Sequence, residues 1–192
     1  TTTKEMLTAI LANKGKTVSS LANIDPIYNI PTTILKCTPS TKYLVLEMGV
    51  EFPGEMDFYL WLAKPNVSIL TNVYPTHTLY FGDEKGVAKE KGKLIRALKK
   101  NDFAVLNLMS PYTKNLIKQT TASVRLFGDK GEIKAKNISY TNSLDTKLTL
   151  ILPKRKISVR LALIGKQFVE NALAASTAAL ALGANPAEIK RG

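Results

Sequence analysis

Apolar residues along the chain fall into two rhythms. Met6, Leu7, Ile10 and Leu11 recur at helical spacing, behind an opening turn Thr1-Thr2-Thr3-Lys4-Glu5 and ahead of a stop at Gly15. Glu55 to Ala63 repeats that rhythm with an apolar face at Met56, Leu60 and Ala63, and Glu84 to Lys99 reads as a further helix. Between them lie short, nearly continuous apolar runs: Tyr43 to Met48, Val67 to Asn72 and Phe103 to Asn107. Strands of this kind alternating with helices predict an α/β fold, a mostly parallel sheet flanked by helices on both faces.

The texture changes after Asn107. Ser123 to Phe127, Ile133 to Tyr140, Lys147 to Leu152 and Ile157 to Leu163 read as successive strands, joined by Gly128-Asp129 and Pro153-Lys154-Arg155. They predict antiparallel hairpins at the edge of the domain. An alanine-rich helix, Val169 to Leu182, follows and Gly183 ends it, while Ala187 to Lys190 begins a further element. The predicted organisation is one domain over 1–192, with an α/β core from 1–120 and 164–192 and a small antiparallel β subdomain over about 121–163. A parallel sheet wants a strand and loop leading into its first helix, yet the chain opens at that helix. A first strand and its loop are therefore expected upstream of Thr1, and the chain reads as truncated at both ends.

Charge adds a constraint. The chain carries 27 Lys+Arg against 15 Asp+Glu, a net +12, which favours anionic partners. The basic residues are scattered, with Lys89, Lys91, Lys93, Arg96, Lys99 and Lys100 on one helix and Lys154 to Lys156 in one turn. No aromatic residues interleave them, so a nucleic-acid interface is not the expected reading. No apolar run approaches the ~18 residues of a membrane span, and no membrane partner is expected. The lone Cys37 permits no internal disulfide, which predicts a reducing, cytoplasmic setting.

One cysteine and one histidine, His77, exclude thiolate cages and His-rich metal centres. Carboxylates, one imidazole and hydroxyls suit a hard cation such as Mg²⁺. Glu47 closes an apolar strand, so its carboxylate emerges at the carboxyl edge where ligands of open α/β sheets bind. Read by residue type alone, Thr1 is equally a helix cap, Glu47 a solvated strand-end acid and His77 a surface histidine.

Five segments carry a resemblance: TTTKEMLTAIL (Thr1 to Leu11), YLVLEMGVEFPGEM (Tyr43 to Met56), AKPNVSILTNVYPTHTLYFGDEKGVAKEKG (Ala63 to Gly92), AVLN (Ala104 to Asn107) and GKQFVENALAASTAALALG (Gly165 to Gly183). Together they resemble the central, ATP-binding domain of the Mur ligases, in family order and spacing over nearly the whole chain. The similarity is greatest to members that add D-alanyl-D-alanine to UDP-N-acetylmuramoyl-tripeptide. The resemblance implies a P-loop-type fold, ATP and two Mg²⁺ ions, with N- and C-terminal domains flanking this one.

It implies that Thr1 is the hydroxyl residue after the P-loop Gly-Lys, liganding Mg²⁺ and, with Thr2, contacting ATP. Glu47 is implied as a ligand of the same metal and His77 as a ligand of the second. Lys91 stands where the family has a lysine that reacts with CO₂ to give a carbamate, an anion that binds or orients the second metal. Lys89, two residues away on another helix face, is the alternative. Asn171, with Gln167 in the same motif, stands at the adenine contact, and Asn23 in the substrate loop NIDPIYNIP (Asn23 to Pro31). Without the P-loop lysine, this piece alone is expected to be inactive.

The chain departs from the family pattern at Gln167-Phe168, usually His-Asn, and at Asp25, Pro26 and Asn29, usually Asn, Asn and Gly. It departs again at Glu51-Phe52, usually Asn-His, and at Met109-Ser110, where an acidic pair often follows AVLN. These positions lie at nucleotide and substrate contacts while the metal trio is intact, so they bear on substrate more than on reaction type. The implied reaction is ATP-dependent amide formation through an acyl phosphate. Alternatives are another amide ligase of the superfamily, of folylpolyglutamate or cyanophycin type, and a non-catalytic domain that binds a partner.

Overall fold

Helix α1 (Thr2–Ala12) opens the computed structural model, which describes residues 1–22, 24–142 and 144–192. Strand β1 (Thr17–Ser19), helix α2 (Pro26–Ile34), strand β2 (Tyr43–Val45), helix α3 (Glu55–Leu62) and strand β3 (Val67–Leu70) follow. Next come α4 (Thr78–Phe81), α5 (Glu84–Arg96), β4 (Phe103–Asn107), α6 (Thr113–Ile117) and β5 (Ser123–Phe127). The chain continues through β6 (Lys134–Tyr140), β7 (Thr146–Ile151), β8 (Lys156–Leu161), α7 (Lys166–Ala181) and α8 (Pro186–Arg191).

The parallel strands form two sheets, β1-β2 and β3-β4-β5, and the third sheet, β6-β7-β8, is antiparallel. Ala104, Val105 and Leu106 of β4 are fully buried, as a central strand covered on both faces requires. Helix α7 is alanine-rich because it is packed from several sides. It meets α1, all three strands of the β3-β4-β5 sheet and β6, and Ala174, Ala175, Ala178 and Ala179 are fully enclosed. The main core joins Leu7, Ile10 and Leu11 of α1 to Val105 and Phe127 of the sheet, and to Leu148 and Leu150 of β7.

Several expectations need correction. Ser123–Phe127 is not part of the antiparallel subdomain: β5 pairs parallel with β4, from Phe103↔Ser123 to Asn107↔Phe127. The short helix α6 carries the chain between them, and the antiparallel sheet begins only at Lys134. The segment read as a loop, from Asn23 to Pro31, is helical from Pro26. Asp25 caps it by accepting from Ile27 N at 3.0 Å, and Pro26 stands in the first turn where its missing N–H costs nothing. On α3 the buried face is Met56 and Tyr59. Strand β2 stops at Val45 because Ser20 Oγ, not a backbone carbonyl, accepts the Glu47 N–H at 3.0 Å. Among the described residues no helix is long and apolar enough to cross a membrane.

Candidate functional site

Beyond the end of β2, Glu47 meets the start of α1. Thr1 Oγ1 donates to Glu47 Oε1 at 2.9 Å. Thr3 Oγ1 donates to Asn171 Oδ1 at 3.0 Å, which ties α7 to the same helix start. Lys4, itself buried, donates to the Ser20 carbonyl, so the residue whose hydroxyl holds the Glu47 backbone is anchored in turn. Burial pushes the Glu47 carboxyl up, and the hydrogen bond from the Thr1 hydroxyl opposes it. The Lys4 charge favours the ionised carboxylate in the same sense.

A hydroxyl and a carboxylate on adjacent elements are donors of the type Mg²⁺ takes, usually with one or two carboxylates, waters and substrate phosphates completing the shell. Among the described residues no group of three or more His, Cys, Asp or Glu is arranged to hold a metal. The Thr1–Glu47 pair therefore fits a sparsely held Mg²⁺ and not a closed protein cage.

His77 and Lys91 lie together elsewhere on this edge, lining a cavity of about 380 Å³ with Asp25, Glu51, Glu55 and Tyr59. His77 holds a left-handed backbone, φ 56° and ψ 30°, at the N-cap of α4. Such a conformation is uncommon outside glycine and is often kept where function requires it. Its Nδ1 lies 3.5 Å from Glu51 Oε1. Burial lowers the Lys91 amine from the usual lysine range. Lys89, by contrast, is exposed and lines no part of this cavity.

Neighbouring Glu90 fixes the wall. It is buried, accepts from Gly54 N at 3.0 Å and Met56 N at 3.2 Å, and pairs with Lys93 at 2.7 Å. One carboxylate on α5 thereby caps α3 and sets the two helices that present Lys91 and Tyr59. Tyr59 is fully buried, and its hydroxyl lies beside the Glu55 carboxylate without a well-aligned hydrogen bond to it. Burial first, then the charges of Glu55, Asp25 and Glu51, push its phenol well above the usual range.

Of the expected residues, the structure joins Thr1 directly to Glu47, attaches Asn171 through Thr3, and puts His77 and Lys91 on one cavity. Thr2 is the first residue of α1, and Gln167 stands in the first turn of α7, folded against Gly165. Asn23 lies outside the described residues. Asn29 is engaged structurally, exchanging hydrogen bonds with Leu21 N and O at 3.1 and 2.7 Å. Sequence reasoning passed over Thr3, Ser20, Tyr59 and Glu90. The Thr-Thr-Thr run is the signal for Thr3, while Glu90 is one acid among the lysines of AKEKG with no pattern that marks it. A larger cavity, about 830 Å³ between Arg125, Leu152, Leu180 and Pro186, contains none of the expected residues.

Comparison with known proteins sets these contacts in a family. A relative from Buchnera aphidicola (Baizongia pistaciae), UDP-N-acetylmuramoyl-tripeptide--D-alanyl-D-alanine ligase, is 34% identical over 95% of this chain and 40% of its own length. The crystal structure of MurF from Acinetobacter baumannii superposes with a TM-score of 0.92 at 28% identity, covering 99% of this chain and 42% of that one. MurF ligase from Thermotoga maritima in complex with ADP gives a TM-score of 0.86 at 25% identity, covering 98% and 45%. The chain thus spans about two fifths of the length of the proteins it matches. The family described as the Mur ligase middle domain matches residues 1–179, and the chain belongs to that family.

Proposed function

We propose that this domain is the ATP-binding centre of a ligase that joins D-alanyl-D-alanine to UDP-N-acetylmuramoyl-tripeptide, a step of peptidoglycan precursor synthesis in the cytoplasm. The observation that carries the reading is the shared cavity of His77 and Lys91, near the strand end whose Glu47 bonds Thr1. The relatives' names and the ADP complex of a structural neighbour support it, as does the single free Cys37 for a reducing compartment.

In this reaction the tripeptide carboxylate attacks the γ-phosphorus of ATP and ADP leaves. The D-alanyl-D-alanine amine then attacks the acyl phosphate carbon, and phosphate departs as the amide forms. Both anionic reactants must be brought together, so charge neutralisation is the main task. Two Mg²⁺ ions, when bound, would supply most of it. Thr1 Oγ1 and Glu47 would hold one and His77 with Lys91 the other. Asn171 and Gln167 would face the adenine, Thr1 and Thr2 the phosphates, and Asn23 the substrate. The phosphate-binding Gly-Lys belongs, in this reading, to residues ahead of Thr1, and flanking domains of the same protein supply the remaining substrate contacts.

Lys91 is read as the carbamoylated lysine. Carbamate formation consumes the neutral amine, and burial lowers the Lys91 pKa, which raises the neutral fraction at any given pH. In the full-length protein, ATP hydrolysis should depend on both UDP-N-acetylmuramoyl-tripeptide and D-alanyl-D-alanine. Lys91→Ala should abolish it and Lys89→Ala should not. Full activity in Lys91→Ala, or its loss only in Lys89→Ala, would overturn the assignment.

A further inference from the structure

Among the described residues, the buried side-chain polar atoms without a hydrogen-bond partner are Arg125 Nε and Tyr59 Oη. Arg125 has an outlet, because its guanidinium is partly exposed and pairs with Glu132 at 3.0 Å. Tyr59 has only the poorly aligned Glu55 carboxylate beside it. Its 0% exposure puts the whole ring inside the cluster of Ile30, Val50 and Met56, with the residue lining the cavity that Lys91 and His77 share. A buried hydroxyl left unpaired is costly, roughly 1–3 kcal/mol, so an acceptor brought into that cavity would relieve a standing penalty.

The same wall carries three acids. Asp25 accepts from Ile27 N, Glu55 accepts from Glu51 N and Phe52 N at 2.6 and 2.8 Å, and Glu51 faces His77. A carbamate on Lys91 would add a fourth negative charge, which like charges oppose unless a donor meets it. Tyr59 is such a donor. Glu90 caps α3 at Gly54 and Met56 and stands next to Lys91, so the helices bearing the two groups are locked to each other.

We infer that Tyr59 is a positioning residue for Lys91, donating its phenolic hydrogen to an oxygen of the lysine carbamate. The inference rests on the reading of Lys91 given above. In the modification the neutral Lys91 nitrogen adds to the carbon of CO₂. A C–N bond forms, one C=O electron pair moves onto oxygen, and an N–H proton passes to solvent. The phenol takes no part in bond making; it holds the product anion.

The test uses full-length protein equilibrated with ¹³C-bicarbonate. The carbamate carbon, identified by its loss in Lys91→Ala, reports occupancy by NMR. Tyr59→Phe keeps the ring and removes only the hydroxyl. It should need about tenfold more bicarbonate for half-occupancy, the ratio that one hydrogen bond to a charged group supplies. Its thermal midpoint should stay at or above that of the parent, since an unpaired buried hydroxyl has been deleted. An unchanged bicarbonate midpoint overturns the inference and leaves the Lys91 reading standing. A fall in occupancy matched by a fall in thermal midpoint assigns Tyr59 to packing and overturns it too. Absence of the carbamate signal from the parent protein overturns both.

Discussion

Thr1, Glu47 and Asn171 are brought together by hydrogen bonds between partly exposed side chains, whereas His77, Lys91 and Tyr59 are brought together by two helices packed around a cavity. In the first region each contact is a separate bond at the end of an element, and losing one leaves the core intact. In the second, the buried Glu90 caps α3 and fixes α5, so the positions of Lys91 and Tyr59 are consequences of folding. The same fold thus holds one half of its candidate site by replaceable contacts and the other by its interior.

The sharpest way to break this comparison is Glu47→Ala in the full-length protein. Removing a preorganised charge partner of a phosphoryl-transfer site should cost about 10²–10³ in kcat. Because its carboxylate is a third exposed, urea unfolding should barely change. A large loss of stability would show that the first region is as deeply wired as the second.

The reverse signature belongs to Glu90→Ala. Truncation leaves two amide donors at the start of α3 without their acceptor, while the Lys93 ammonium keeps Asp57 at 2.6 Å. At roughly 1–3 kcal/mol per orphaned group, partly relieved by water, the expected loss is about 3 kcal/mol by urea denaturation. Carbamate occupancy at Lys91 should fall with it. A loss below about 1 kcal/mol would mean that packing alone sets the α3–α5 geometry.

These two regions were also unequally legible in the sequence. Strand-end Glu47 stands out by its position, because an acid closing an apolar run emerges where ligands of open sheets bind, whereas Thr1 heading a helix reads equally as a cap. His77 and Lys91 could be found only through a resemblance, since a half-exposed histidine and one lysine among many carry no local pattern. Tyr59 was hidden by α3 itself, whose apolar residues run almost all round the helix and do not reveal which face is buried. The β5 misreading has a similar origin. Ser-Val-Arg-Leu-Phe alternates like an edge hairpin strand, and only the short α6 crossover makes it parallel to β4. The break between β2 and β3 is a matter of tertiary pairing, on which hydropathy is silent.

The smallest expected effect is the most discriminating about the first region. Thr3→Val keeps the shape of the side chain and removes the hydroxyl that donates to Asn171 at 3.0 Å. A single neutral hydrogen bond is worth about 0.5–1.5 kcal/mol net, so stability should drop by no more than that. The functional effect depends on what Asn171 does. If Thr3 only joins α1 to α7, kcat and the nucleotide KM both stay near the parent values. If Asn171 orients the adenine, a freed amide should raise the ATP KM a few-fold with kcat unchanged, the pattern of lost uniform binding. The second outcome is the expected one, because the bond engages the amide oxygen and so fixes which way the Asn171 nitrogen points.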